Sequence, residues 1–424
     1  MLQLDISASM GKVITPNKGI PEQEFSALLT SLRRYTENYN SEREAGEHAW
    51  ADDPKNEEVI TKVKEVATFA SAQKISTVVW IGIGGSGLGP KVLREVFETP
   101  NTPEFILLDT IDPYMLDMYD SILDWKNTLL VVVSKSGGTL EPMSVFFHCW
   151  KRMQEARGKE AGNYTVAITD PKKGTLKTFC LENGIRTLPI PDNVGGRYSI
   201  FTPVGLLPVA LLGADVDEFV RGAKEMDTIC QNVTPDENPA AMLASVQFLL
   251  DTKRDCNVRV IMPYSQRLES FARWNQQLIA ESLGKVETSN PIPLAAIGTQ
   301  DQHSLLQQWM AGPRQQWHIF IREIEKTPFK VPNEVEESFK YIAGKEFGDL
   351  LDACYKGTSD ALTSAKRPHV TIGLEKIDEY HLGQLFFLFL VEVVLLGKLY
   401  RIDPYGQPAV EIGKNITKKI LNEE

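Results

Sequence analysis

Residues 76–90, STVVWIGIGGSGLGP, decide the fold. The first eight are apolar and β-branched nearly throughout, as a strand buried on both faces requires. GGSG follows, then a helix-like stretch to Phe97. The order strand, loop, helix recurs. FILLD (105–109) precedes a helix after Pro113, TLLVVVSK (128–135) precedes SGGT and a helix from Glu141, and YTVAITD (164–170) is a fourth pass. Alternating apolar strands and helices imply right-handed crossovers and a mainly parallel sheet covered on both faces. After helices over 215–229 and 238–251 the alternation restarts with VRVIMPYS (258–265), a helix over 267–283, and the strands HIFIREI (318–324) and HVTIGLEKI (369–377). The expected class is α/β: two doubly wound parallel-sheet domains with helical connections and a C-terminal helical segment. The predicted boundaries are an N-terminal segment over 1–50, a first domain over 51–225, a second over 226–400 and a C-terminal segment over 401–424.

Composition narrows the function. The chain has 424 residues, 42% hydrophobic and 24% charged, enough for a sizeable core. Its 45 Lys+Arg against 56 Asp+Glu leave a net charge of −11, which argues against nucleic acid or an anionic membrane as partner. Any anionic ligand must be captured locally. The five cysteines (149, 180, 230, 256, 354) are scattered and never spaced CxxC, so neither a disulfide framework nor a zinc site is signalled. The N-terminus has Asp5 where a secretory leader needs a basic flank and an apolar run, and a cytoplasmic location is expected. Residues 382–391 are uncharged but stop at Glu392, too short to span a membrane and consistent with a buried helix. Residues 198–214 are broken by Pro203, Gly205 and Pro208.

Two loops carry the ligand signal. Residues 82–87, GIGGSG, fit G-x-G-x-x-G after a strand and before a helix, with Asp109 ending the next strand. Alone, that reads as a dinucleotide site, but glycines at a helix N-terminus serve any phosphate through exposed N–H groups. Residues 134–139, SKSGGT, stand between another strand and helix. Here Ser134, Ser136 and Thr139 supply hydroxyls, Lys135 an ammonium and the glycines free N–H groups, a set suited to a compact phosphate monoester. Neighbouring parallel strands would bring Gly85 and Ser86 beside this loop at one crevice.

Further segments hold groups able to do chemistry: GGRYS (195–199), QLIAESLGK (277–285), GTQDQHS (298–304), Gln407 and EIGK (411–414). Glu281 lies in the last turn of a helix that Gly284 can cap, where the dipole's negative end favours proton uptake and suits a general base. Gln277 shares its face and could orient it. Arg197 follows two glycines, so its guanidinium can approach a developing oxyanion. The six histidines form no metal-ligand pair, so metal binding is poorly supported and His303 alone reads as structural.

Together with IGIGGSGLGP and SKSGGTLEP, these segments resemble the glucose-6-phosphate isomerase family in its shorter bacterial form, from about residue 50 to residue 419 and in the family's order. The resemblance implies two sugar-isomerase (SIS-type) domains, the C-terminal segment returning to the active site, and reversible isomerisation of glucose 6-phosphate and fructose 6-phosphate without a cofactor. It makes Glu281 the residue that shuttles the proton between the first two sugar carbons and Arg197 the stabiliser of the enediolate. His303 and Lys414 become the ring-opening groups, with His303 supplied by the adjoining subunit of a homodimer. Gly85, Ser86, Ser134, Lys135, Ser136, Thr139 and Gln407 fall at the phosphate. YGQPAVEIGK departs from the family's F-D-Q-x-G-V-E-x-G-K, with Gly406 for an Asp and Ala409 for a Gly, and the helix before it lacks the usual Tyr-Glu-His. Two other readings use the same loops: an NAD-dependent oxidoreductase built on residues 82–87 and Asp109, and a sugar-phosphate sensor that needs neither Glu281, His303 nor Lys414.

Overall fold

The computed structural model describes residues 1–287 and 291–422. Ten strands are assigned among them: β1 (Gln3–Asp5), β2 (Thr77–Ile81), β3 (Glu104–Leu108), β4 (Thr128–Val133), β5 (Thr165–Thr169), β6 (Arg186–Pro189), β7 (Val258–Pro263), β8 (Ile292–Ala295), β9 (Gln316–Glu323) and β10 (His369–Leu374). They form two five-stranded sheets, ordered β3-β2-β4-β5-β6 and β1-β10-β9-β7-β8. All pairings in the first sheet are parallel. The second is parallel except at its edge, where β1 runs antiparallel to β10.

The order of the first sheet positions the site. The chain leaves β2 to one side to form β3, then crosses back to place β4 on the other side of β2. Helices therefore depart to opposite faces from the carboxyl ends of β2 and β4, and the gap between them is a ready crevice. The loops after these two strands are residues 82–87 and 134–139. β2 and β4 are buried along their whole length, which explains their unbroken apolar sequence.

One continuous apolar core joins the two sheets. In the second sheet successive side chains alternate between it and a smaller cluster on the far face. Ile261, Ile319 and Ile321 face the shared core, while Val260, Met262 and Phe320 pack with Trp309, Tyr355 and Leu362. The helix Glu379–Tyr400 is long and apolar enough to cross a membrane, yet it is buried inside the protein, crossing the helices Val216–Cys230 and Pro239–Arg254. Gly222 lies against the Tyr380 carbonyl and Gly383 against that of Phe219, so a Cβ at either would force this crossing apart. The one acid well inside this helix, Glu392, is fully buried and forks onto Arg259 of β7 at 2.6 and 2.8 Å. Burial pushes its carboxyl upward and the Arg259 charge opposes that shift.

Candidate active site

A cleft of about 950 Å³ opens at the carboxyl ends of β2 and β4 and is walled by both halves of the chain. Gly85, Ser86, Ser134, Lys135, Ser136 and Thr139 line it from the first sheet, and Glu281 and Gln277 from the helix Glu269–Leu283. Arg197, Gln407 and Lys414 complete the set. Of the site residues implied by the family resemblance, His303 alone does not line it. It is an exposed residue just after the short turn Gln300–Gln302.

The two loops serve different ends. In the first, Gly84 has a φ of +58°, and the helix Gly85–Phe97 begins at once. A Cβ on Gly85 would overlap the carbonyl of Gly196, so glycine here lets the loop touch the segment that carries Arg197. Close approach to protein backbone accounts for this glycine without a dinucleotide. Asp109, which a ribose would need, is exposed and outside the cleft lining.

The second loop is tied up more than its composition suggests. The Ser134 hydroxyl accepts from Gly137 N–H at 3.1 Å, and that of Ser136 from Gly138 N–H at 3.2 Å. Lys135 donates to the carbonyls of Asp192 (2.5 Å) and Val194 (3.1 Å). Burial lowers the proton affinity of this ammonium, with the Asp192 and Asp170 charges pulling the other way. Thr139 is the N-cap of the helix Leu140–Arg157, and its hydroxyl makes no cap hydrogen bond. Two helix N-termini thus face one cleft, the arrangement that favours an anion.

Across the cleft, Glu281 is held from both sides. Gln277 Nε2 donates to its Oε1 at 2.9 Å and Arg197 Nη1 to its Oε2 at 3.2 Å. The carboxylate is 30% exposed, enough to meet a ligand, whereas Arg197 is 2% exposed. Every N–H of that guanidinium is spent inside the chain. Nε donates to Ser282 (2.8 Å), Nη1 also to Gln407 (3.0 Å), and Nη2 to the carbonyls of Pro404 (2.6 Å) and Gly406 (3.1 Å). Its charge still faces the cleft at Glu281, but it also fastens the C-terminal segment to the helix that bears Glu281. Arg197 thus combines a locking role with a fixed positive charge beside Glu281.

The altered C-terminal segment is explained locally. Gly406 has a φ of +66°, a conformation glycine adopts freely, and its carbonyl is one of those Arg197 captures. Lys285 donates to the Asp403 carbonyl at 2.5 Å and to that of Tyr405. Gln407 therefore sits at the Arg197 end of the cleft. Lys414 belongs to the exposed helix Val410–Asn422 and pairs with Glu411 at 2.7 Å.

Four charged cleft residues were not among those expected at the site: Glu141, Asp170, Lys173 and Asp192. The Asp170 carboxyl is drawn down to about 2, first by the Lys172 N–H, which donates to it at 2.8 Å, with the Lys173 N–H adding to the effect at 3.0 Å. Asp170 directly follows β5, and its position at the carboxyl end of a parallel strand was the available signal.

Two α/β lobes, with paired helix N-termini in one facing a gripped carboxylate from the other, define the class: a doubly wound protein of the sugar-isomerase type. A profile of the phosphoglucose isomerase family matches residues 54–424. A glucose-6-phosphate isomerase from Rubrobacter xylanophilus is 37% identical over 377 residues, covering 86% of this chain and 87% of that protein. Among solved structures, a hypothetical protein from Thermus thermophilus matches with a TM-score of 0.88 at 32% identity, covering 99% of this chain and all of that one. A glucose-6-phosphate isomerase from Chlamydia trachomatis matches with a TM-score of 0.76 at 25% identity, covering 86% of this chain and 73% of that one. The chain belongs to the phosphoglucose isomerase family.

Proposed function

We propose that this protein interconverts glucose 6-phosphate and fructose 6-phosphate by proton transfer through an enediolate, using only its own side chains. The reading rests on one observation: Glu281, oriented by Gln277 and Arg197, shares a cleft with the hydroxyl-rich loop that follows β4. The phosphate binds at Ser86, Ser134, Lys135, Ser136 and Thr139, where two helix N-termini and mobile hydroxyl hydrogens meet its oxygens. That anchor fixes the first two carbons against the carboxylate.

His303 and Lys414 open the sugar ring, one taking the hydroxyl proton and the other returning a proton to the ring oxygen. Glu281 then removes the proton from the carbon beside the carbonyl, and the electron pair moves onto the carbonyl oxygen. Arg197, immobilised by its five hydrogen bonds, stabilises that charge at no cost of reorganisation. The hydroxyl proton on the second carbon's oxygen passes to the first carbon's oxygen, and Glu281 returns its proton to the first carbon, completing the exchange of aldose for ketose. The family resemblance implies that His303 is supplied by the adjoining subunit of a homodimer, and its place outside the cleft of its own chain agrees with that reading. A cytoplasmic location fits the five cysteines, all free thiols.

The experiment is an assay of hexose 6-phosphate interconversion in chelator with no added nucleotide. Turnover supports the proposal. Turnover that requires NAD moves the chain to the oxidoreductase reading, and sugar-phosphate binding without interconversion moves it to the sensor.

A further inference from the structure

A second pocket, of about 140 Å³, lies at the opposite pole of the second lobe. It is set where β7, β9 and β10 begin: Cys256 precedes β7, Gln316 opens β9 and Pro368 precedes β10. The active-site cleft lies instead at the ends of strands. In a chain of net charge −11, this pocket is lined by Lys18, Lys253, Arg254, Arg314, Lys366 and Arg367, with Asp255 as its single carboxylate.

The bland explanation for such a cluster is that cations cap the negative ends of helices. It accounts for the arginines. Arg314 donates to the Ala365 and Lys366 carbonyls beyond the helix Phe347–Ser364, both at 2.9 Å. Arg367, nearly fully buried, donates to the carbonyls of Met310, Gly312 and Pro313 around the end of the helix Leu306–Ala311. Arg254 donates to the Gly19 carbonyl and forks onto Glu24 at 2.9 Å. These bonds hold the guanidinium groups still without cancelling the charges of Arg314 and Arg367.

The lysines are explained in this way only in part: Lys253 stands in the last turn of the helix Pro239–Arg254 and Lys366 just past the helix Phe347–Ser364, but Lys18 belongs to no helix end. The ammonium groups of Lys18, Lys253 and Lys366 make no hydrogen bond or ion pair with the described residues. They come from the N-terminal segment, a helix end and the turn before β10, yet they meet at one pocket. The like charges also oppose one another: burial, and then Arg314, pulls Arg367 below its usual value. Three flexible ammonium groups around fixed guanidinium groups, in a space several water molecules in size, match a small anion with two or more charges.

We infer that this pocket is a second anion site, for a phosphoryl group, which clamps the N-terminal segment at Lys18 to the starts of β7 and β10. It is separate from the cleft and does not depend on the isomerase reading.

The test counts sites on the full chain by equilibrium titration with pyrophosphate, with and without saturating glucose 6-phosphate. Two pyrophosphate sites per chain are expected, one surviving saturation. The triple substitution Lys18→Gln, Lys253→Gln and Lys366→Gln should weaken the surviving site at least tenfold and leave turnover unchanged. A control with the same loss of charge elsewhere, Lys126→Gln, Lys151→Gln and Lys159→Gln, should retain it. Repeating the titration with inorganic phosphate and with glycerol phosphate identifies the source: tighter binding of the first indicates the free ion, and of the second a phosphate ester. A single site that sugar phosphate abolishes, or a surviving site indifferent to the three lysine substitutions, would overturn the inference.

Discussion

The two lobes share a topology and use it differently. In each sheet the chain goes to one side of a strand and returns on the other, around β2 in the first and β7 in the second, so each has a crevice at its strand ends. In the first lobe that crevice is lined by glycine N–H groups and small hydroxyls. In the second, the corresponding pocket of about 240 Å³, near Tyr264 and Glu323, is crossed by ion pairs. Arg267 meets Glu323 at 2.8 Å, Arg322 meets Asp352 at 3.0 Å, and Lys326 bonds Asp349 and Asp352. Topology offers both crevices. Residue chemistry leaves one open to an anion and fills the other with paired charge, while the second lobe sends Glu281 across to the first.

The strongest way to break this comparison is to remove the group sent across. Glu281→Gln keeps the Gln277 and Arg197 partners in reach but cannot accept a proton, so turnover should fall by about 10²–10⁴ while sugar-phosphate affinity stays within a few-fold. Steady-state kinetics and a binding titration separate the two effects.

Next come the loops. Removing one hydroxyl, Thr139→Ala, should raise KM roughly tenfold to a hundredfold, at ~1.5–3 kcal/mol for a hydrogen bond to a charged group. Ser265→Ala at the second lobe's crevice should leave KM and kcat unchanged. Equal losses at both would show that the lobes are not divided in function.

Subunit mixing addresses His303. Neither Glu281→Gln nor His303→Ala should support turnover comparable to the parent, yet co-refolded mixtures should recover about a quarter of the sites, since half of random dimers are mixed and each has one intact site. No recovery would place His303 outside the partner's cleft.

The smallest effect belongs to the filled crevice. Arg322→Ala should lower the unfolding free energy by about 1–2 kcal/mol, seen in the urea midpoint, with kcat and KM intact, because it leaves the partly buried Asp352 with Lys326 as its remaining cationic partner.

The same contrast explains what could be read from sequence. β2 and β4 are unbroken apolar runs because they are buried on both faces, and β7, β9 and β10 were visible for a related reason. β1, β6 and β8 escaped. They have three or four residues, contain polar groups or proline, and stand at sheet edges, where one-sided burial leaves no pattern. Glu281 and Arg197 were legible as types, since a carboxylate in a last helical turn and an arginine after two glycines have local signatures. Their mutual bond, and the spending of all five guanidinium donors, depend on contacts between residues 84 to 210 positions apart. Asp192 carries no motif and was invisible without the sheet order, while Asp170 had only its place at the end of a strand to mark it.

The central claim is that Glu281 moves the proton, and isotope exchange tests it most directly. In D₂O, the protein incubated with fructose 6-phosphate should place deuterium on the first carbon, and Glu281→Gln should lose that exchange together with isomerisation. Exchange that persists in the Gln variant would assign the proton to another group and contradict the account.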